Sequence, residues 1–274
     1  MHLESLFSRL NSYLAQNRRA WDERVERRAW HTQAAADEDF QNPLAALDEC
    51  GWLGGNVRGR RVLCLAAGGG KHGPLFAAAG ADVTIVDLSP AMLEQDRRVA
   101  VARSLKVRTV ETSMDNLSML PVAGFDLVIQ PVSTCYVPDL GAVYRQVARV
   151  TALGGLYISQ HKQPASLQAQ SLPASNGGYT VTQPYREGSA LPAVTDGLQH
   201  REAGTAEFLH CWSELLGGLC RSGFVIEDLV EPSHGNPQAE TGTFDYRCNY
   251  LPPFVTLKAR RTAEDRPEPR LWTG

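Results

Sequence analysis

The chain has 274 residues, enough for one large α/β domain or a domain with a cap, and its 43% hydrophobic and 21% charged residues suit a substantial buried core. A net charge of −3 with acids and bases interspersed lacks the basic footprint of a dedicated nucleic-acid or anionic-membrane binder. No stretch approaches the ~20 apolar residues of a membrane span, and the opening MHLESLFSRLNSYL is amphipathic, without the continuous apolar core of a signal peptide.

The six cysteines (Cys50, Cys64, Cys135, Cys211, Cys220 and Cys248) form no C-x-x-C pair and have no histidine at zinc-ligand spacing. The expectation is reduced thiols in a soluble, cytoplasmic protein without a metal site.

In chain order, residues 1–33 read as helical, with Leu3, Leu6, Phe7, Leu10 and Leu14 at helical spacing. Residues 34–58 are looser, so 1–58 is expected to form an N-terminal helical cap. The core, 59–262, begins with the most informative segment, Arg61 to Met92. Val62–Leu65 is a short apolar run, as a fully buried parallel strand should be. Gly68, Gly69 and Gly70 let the backbone turn tightly and a ligand come close. His72–Ala79 suits a short helix and Val83–Val86 a second strand, with Asp87 at its carboxyl end. An acid about 20 residues after such glycines is placed to hold a ribose diol.

Ser89-Pro90 is a helix start, a capping hydroxyl followed by proline in the first turn, and the helix should run to about Leu105. Val107–Val110 and Leu127–Ile129 are the third and fourth strands. Leu140, Val143, Tyr144, Val147 and Val150 mark a helical stripe with Gly154-Gly155 as its C-cap, and Leu156–Ser159 is the fifth strand. Residues 162–203, rich in Gln, Ser, Pro and Gly, exceed a simple connection and read as a substrate-side insertion. Thr205–Arg221 then reads as a helix, Phe224–Val230 and Phe254–Ala259 as the last two strands, and 263–274 as a disordered tail. Repeated α/β alternation implies a parallel sheet with helices on both faces and ligands at the carboxyl ends of its strands.

Gly68-x-Gly70-x-x-Gly73 also satisfies the dinucleotide pattern, so the glycines alone do not choose a cofactor. The segments downstream do. DLSPAMLEQ, GFDLVIQP and the ALGG turn resemble the post-acid segment, fourth strand and fifth-strand turn of class I S-adenosylmethionine-dependent methyltransferases. VLCLAAGGGKHGPLFAAAGADVTIVDLSPAMLEQDR, together with PVSTCYVPD and NYLPPFVTLKA, resembles a bacterial group of that family over roughly residues 17–260. The resemblance implies a three-layer Rossmann-like α/β fold, its seven-stranded, mostly parallel sheet ending in an antiparallel last strand. It implies S-adenosylmethionine as methyl donor and S-adenosylhomocysteine as product, with a small-molecule acceptor rather than a nucleic acid or membrane.

Residue by residue, the resemblance puts loop N–H groups from Ala66 and Gly68–Gly70 on the methionine carboxylate. Asp87 takes the ribose, beside Leu88. Met92 packs on the adenine, and Ser113, Met114 and Asp115 meet the adenine edge. Pro131 and Val132 flank the reactive methyl, Trp21 lies on a covering helix, and Thr134 and Tyr136 touch cofactor or substrate. His161, at the end of the fifth strand, is the best-positioned general base, with Tyr136 as the other catalytic candidate and His210 as a substrate-side cleft residue. Cys64, Ala66 and Ser113 depart from the group's usual acid, glycine and acid. An NAD(P)-dependent oxidoreductase and a non-catalytic cofactor-binding protein of the same fold remain open alternatives. The acceptor atom and oligomeric state are not legible.

Overall fold

A computed structural model describes residues 2–194 and 200–262, and the side chains from residue 12 onward. The expected tail, 263–274, and the stripe from Leu3 to Leu10 lie outside the described residues and side chains. The helices are α1 (His2–Glu26), α2 (His72–Ala78), α3 (Pro90–Ala102), α4 (Leu140–Val150), α5 (Pro164–Gln168), α6 (Leu219–Arg221) and α7 (Phe244–Cys248). The strands are β1 (Arg61–Leu65), β2 (Asp82–Asp87), β3 (Arg108–Glu111), β4 (Phe125–Gln130), β5 (Thr151–Lys162), β6 (Ser189–Ala190), β7 (Phe208–Leu209), β8 (Phe224–Val230) and β9 (Phe254–Arg261).

Seven of these strands form one sheet in the order β3-β2-β1-β4-β5-β9-β8. The first five are parallel, and β9 runs antiparallel to both β5 and β8. The expected fold is therefore present. β1 is fully buried from Val62 to Leu65, and alternation sends its side chains to two cores. Leu63 and Leu65 pack with Val143, Tyr144 and Val147 of α4, whereas Val62 and Cys64 pack with Phe76 of α2 and Leu93 of α3. Two helical layers thus sandwich the sheet. Among the described residues, no helix is long and apolar enough to cross a membrane.

Three expected boundaries are corrected. The first helix stops at Glu26 because Arg28 enters the left-handed region at φ +52°. The Ala29 N–H then bonds to the Arg24 carbonyl and the Arg28 N–H to that of Val25, which is Schellman closure without the usual glycine. Gly154-Gly155 is not a C-cap, since α4 ends where Thr151 begins pairing with Phe125. The register then jumps to Leu127 opposite Leu156, and Gly154 turns this bulge at φ +79°.

The expected helix 205–221 is the third correction. Phe208–Leu209 pairs with Ser189–Ala190, and only Ser213–Gly218, as a π-helical turn, and α6 are helical. Leu209 belongs with Leu167 and Cys211 in a satellite cluster, whereas Leu215 and Leu219 join the main core. One apparent apolar stripe was two faces.

The π-helical turn is anchored by the fully buried Tyr144, whose hydroxyl donates to the Leu215 carbonyl at 2.9 Å. Tyr144→Phe removes this hydrogen bond from the core and should destabilise the protein by about 1 kcal/mol. Urea unfolding with an unchanged slope is the check.

Candidate active site

A cavity of about 550 Å³ opens at the carboxyl ends of β1, β2, β4 and β5, covered by α1 and by residues 30–39. Its floor is the loop after β1. Ala66 turns there at φ +48°, strained for any residue with a Cβ. The Gly68 N–H donates to Asp87 Oδ2 at 2.9 Å, and the Gly69 and Gly70 N–H groups donate to Asp96 Oδ2 and Oδ1 at 3.0 and 2.9 Å. A Cβ on Gly68 would stand 2.8 Å from Met92 Cβ and 3.0 Å from Asp87 Oδ2, so the close approach requires glycine.

These bonds correct the expectation that the N–H groups of Gly68–Gly70 face the ligand, since carboxylates already hold all three. Gly70 does not line the cavity, and its carbonyl accepts from the Ala35 N–H. Burial pushes Asp96 up to about 7 and Asp87 up to about 6, against the opposing pull of their N–H donors. Asp87 lines the cavity, and its Oδ1 accepts the Ser89 N–H at 2.9 Å.

Ala66, Gly68, Gly69, Asp87, Leu88, Met92, Ser113, Met114, Pro131, Val132, Tyr136 and Trp21 all line this space. Asp115 does not; its carboxylate accepts from the Tyr13 hydroxyl at 3.3 Å, outside the cavity wall. The loop after β4 is ordered by the buried Gln130. Its amide donates to Ser133 Oγ at 3.0 Å and approaches Met114 Sδ at 3.3 Å, while its oxygen accepts from the Tyr157 hydroxyl at 2.6 Å.

α1 is keyed to this floor at two points. Asp22 Oδ1 accepts from Ser89 Oγ at 2.6 Å, at the start of α3, where Ser89 and Pro90 form the expected cap. Asn17 donates to the carbonyls of Tyr136 and Ala206, both at 3.1 Å. Trp21 then meets Tyr136 and His31 edge-on, with ring centroids 5.8 and 5.4 Å apart.

Beyond Tyr136 lies a buried ionic cluster. Its hydroxyl donates to Glu202 Oε2 at 2.7 Å, and the Lys162 ammonium donates to the same oxygen at 2.6 Å. Lys162 also pairs with Glu207, which pairs with Arg201. Burial works against the Glu202 carboxylate, but the Lys162 charge and hydrogen bonds outweigh it and hold the carboxyl below its ordinary range, at about 2. Burial, and then the Glu202 charge, pushes the Tyr136 hydroxyl well above its ordinary value.

Three expected site residues point elsewhere. β5 runs on to Lys162, so His161 is inside the strand rather than at its end, and it is fully buried. Its Nδ1 bonds Thr134 Oγ1 and its Nε2 bonds Ser159 Oγ, both at 2.8 Å, and burial lowers its pKa to about 3. Neither His161 nor Thr134 lines the cavity. His210 is buried against Glu187 and the carbonyls of Thr134 and Val137, away from the cavity and not on a helix surface. Gln160, expected at the end of the fifth strand, does line it, and sequence reading missed Asn17, His31 and Glu202, which line it too. No local pattern links Glu202 to Lys162.

The strand order, the antiparallel closing pair and a glycine loop keyed to an acid at the end of β2 define a class I methyltransferase fold. Residues 62–155 match a family model described as a methyltransferase domain. Over 241 residues the chain is 31% identical to "Uncharacterized methyltransferase YbaJ" of Bacillus subtilis (strain 168), covering 82% of this chain and 93% of that protein. It is also 31% identical over 146 residues to a ubiquinone biosynthesis O-methyltransferase of Bordetella avium, covering 53% of this chain and 57% of that protein. A solved S-adenosylmethionine-dependent methyltransferase from Mesorhizobium loti shares the fold, with a TM-score of 0.59 and 24% identity over 75% of this chain and 93% of that one. The chain belongs to the S-adenosylmethionine-dependent methyltransferases. Its activity is methyl transfer from that donor, which overturns both the oxidoreductase and the non-catalytic alternatives.

Ala66→Gly should raise stability by about 1 kcal/mol, because glycine adopts positive φ without the Cβ penalty; thermal unfolding is the check. Lys162→Met should cost about 3–5 kcal/mol by leaving Glu202 without its cation and Glu207 with Arg201 alone. In the parent, the low Glu202 pKa contributes stability above the unfolded carboxylate range, which is lost as pH falls through about 2. Without Lys162 the carboxyl titrates higher, so the gap between variant and parent should narrow from pH 7 to pH 4 in denaturant titrations.

Proposed function

We propose that S-adenosylmethionine lies across the ends of β1, β2 and β4, and that a small-molecule acceptor enters beside β4 and β5. The single observation that carries the cofactor reading is Asp87. Its carboxylate accepts the backbone N–H groups of Ser89 and Gly68, the Leu88 N–H also acts on it, and a carboxylate offers about four lone-pair sites. The capacity that remains, on a carboxylate lining the cavity, suits the hydroxyls of a ribose.

The remaining lining fits the same ligand. Met92 and Leu88 offer an apolar face to the adenine, with Ser113 and Met114 at its edge. Because the loop N–H groups are occupied, Lys71 takes over the methionine carboxylate; it is the only Lys or Arg among the described lining residues. Pro131 and Val132 support the methyl end, and the donor supplies a methyl carbon already activated by positive sulfur. Trp21 and Tyr136 exclude water and orient the acceptor, so much of the rate comes from proximity. The product is S-adenosylhomocysteine. The oxygen chemistry in the Bordetella relative's name supports an oxygen acceptor here.

Calorimetry with S-adenosylhomocysteine is the test. Asp87→Asn should weaken binding at least about tenfold, equivalent to about 1.4 kcal/mol. Parent affinity should fall as pH drops below about 6, where the Asp87 carboxyl gains a proton, and that fall should be absent in the variant. Binding of NADH without S-adenosylhomocysteine would sink the assignment.

A further inference from the structure

The sheet order places the end of β2, with Asp87, three positions from the end of β5, with Gln160. At a strand spacing of about 4.8 Å the two are roughly 14 Å apart, so the cavity has a cofactor half and an acceptor half. His31 belongs to the acceptor half. Its ring packs against Trp21, which packs against Tyr136, the residue bonded to Glu202.

We infer that His31 is a catalytic base that takes the proton from an aromatic hydroxyl on the acceptor. This deepens the cofactor assignment above and rests on it.

The first ground is polar satisfaction. His31 lines the cavity, yet its buried Nε2 has no hydrogen-bond partner. Buried polar atoms in folded proteins are normally paired, so an orphan on a ligand cavity marks a place the ligand completes. The rings of His161 and His210, by contrast, have both nitrogens engaged. His72 also lines the cavity, but beside Lys71 at the start of α2, in the cofactor half.

The second ground is orientation without polar restraint. Trp21 and Trp30 each meet the His31 ring edge-on at 5.4 Å, with interplanar angles of 82° and 86°. Packing therefore fixes the imidazole while its Nε2 stays unpartnered. The groups that act on it are Glu202 from the insertion, Arg24 from α1 and Lys162 from β5. Burial lowers its pKa, Arg24 and Lys162 lower it further, and Glu202 only partly offsets them. The imidazole is neutral at neutral pH, and with its own proton on Nδ1, Nε2 can accept.

The acceptor class follows from the walls and the proton. Trp21, Trp30, Tyr136 and Phe254 frame the space with aromatic surface, which suits a planar ring. A phenolic hydroxyl, with a pKa of about 10, gives its proton to an imidazole far more readily than an alkyl hydroxyl does. As the acceptor oxygen bonds to the methyl carbon, the carbon–sulfur bond breaks with its electron pair remaining on sulfur. The hydroxyl proton passes to His31 Nε2, and the imidazolium later releases it to water.

The test uses the full chain saturated with S-adenosylhomocysteine, ¹⁵N-labelled at histidine, and titrated with phenol, catechol and 1-naphthol. At least one should shift the His31 ring nitrogen signal, identified by its loss in His31→Phe, which keeps the ring packing. Single turnovers with S-adenosylmethionine should convert that phenol to its methyl ether, the rate rising with pH through a value below 6.5 and then levelling. His31→Phe should lower this rate by about 10²–10⁴-fold and abolish that pH dependence, with S-adenosylhomocysteine affinity within twofold of the parent. If thermal unfolding shows the Phe variant poorly folded, His31→Asn should give the same result. The inference is overturned if S-adenosylhomocysteine binds but no phenol moves the His31 signal. It is equally overturned if either folded variant keeps the parent rate and pH profile. Failure of the parent to bind S-adenosylhomocysteine overturns the cofactor assignment first, and this inference with it.

Discussion

Three consecutive backbone N–H groups, those of Gly68, Gly69 and Gly70, end on two carboxylates, the half-buried Asp87 and the buried Asp96, and the rest of the site depends on that arrangement. Burying two carboxylates is costly, as their raised pKa values of about 6 and 7 record. Charge-assisted N–H donors offset part of that cost and curl the loop against β2 and α3. The loop can come that close only because Gly68 has no Cβ to meet Met92. Asp87 then extends the connection. It holds the Ser89 N–H, and the Ser89 hydroxyl holds Asp22 of α1. Floor and cover are thus linked through one carboxylate.

A second polar unit organises the other half of the cavity. Lys162 leaves β5 between Glu202 and Glu207, both on the connection returning from the long insertion, and Arg201 completes the charge balance. Such clusters contribute little net stability compared with apolar packing, but they tolerate few alternative arrangements. Here the cluster sets where the insertion touches the sheet, and it turns Glu202 toward Tyr136 and the cavity. Asn17 ties the same segment to α1 through the carbonyl of Ala206. This half of the cavity is therefore assembled from three distant parts of the chain, with aromatic rings between two polar anchors.

Local patterns made most of the framework legible. Continuous apolar runs identified the buried parallel strands, and Ser89-Pro90 identified the start of α3, because both signals are short-range and repeat at fixed periods. Errors fell where a local cue has two meanings. Gly154-Gly155 serves a bulge as readily as a helix end, and Arg28 closes α1 in a conformation that its residue type does not advertise. The apolar residues from Phe208 to Leu219 fit a helical stripe, yet cross-strand pairing to Ser189–Ala190 claims the first of them.

The sequence by itself determined the strand–loop–helix–strand unit, the acid at its end and the family to which they belong, because each is written within a few residues of chain. Only the tertiary structure decided which side chains line the cavity. Side chains alternate along a strand, so the extension of β5 past Ser159 puts Gln160 on the cavity and turns His161 into the core. His31 and Glu202 reach the same space from opposite parts of the chain, brought there by the Schellman turn at Arg28 and the ion pair with Lys162. No spacing rule connects positions so far apart, since their meeting is set by packing and charge compensation across the fold.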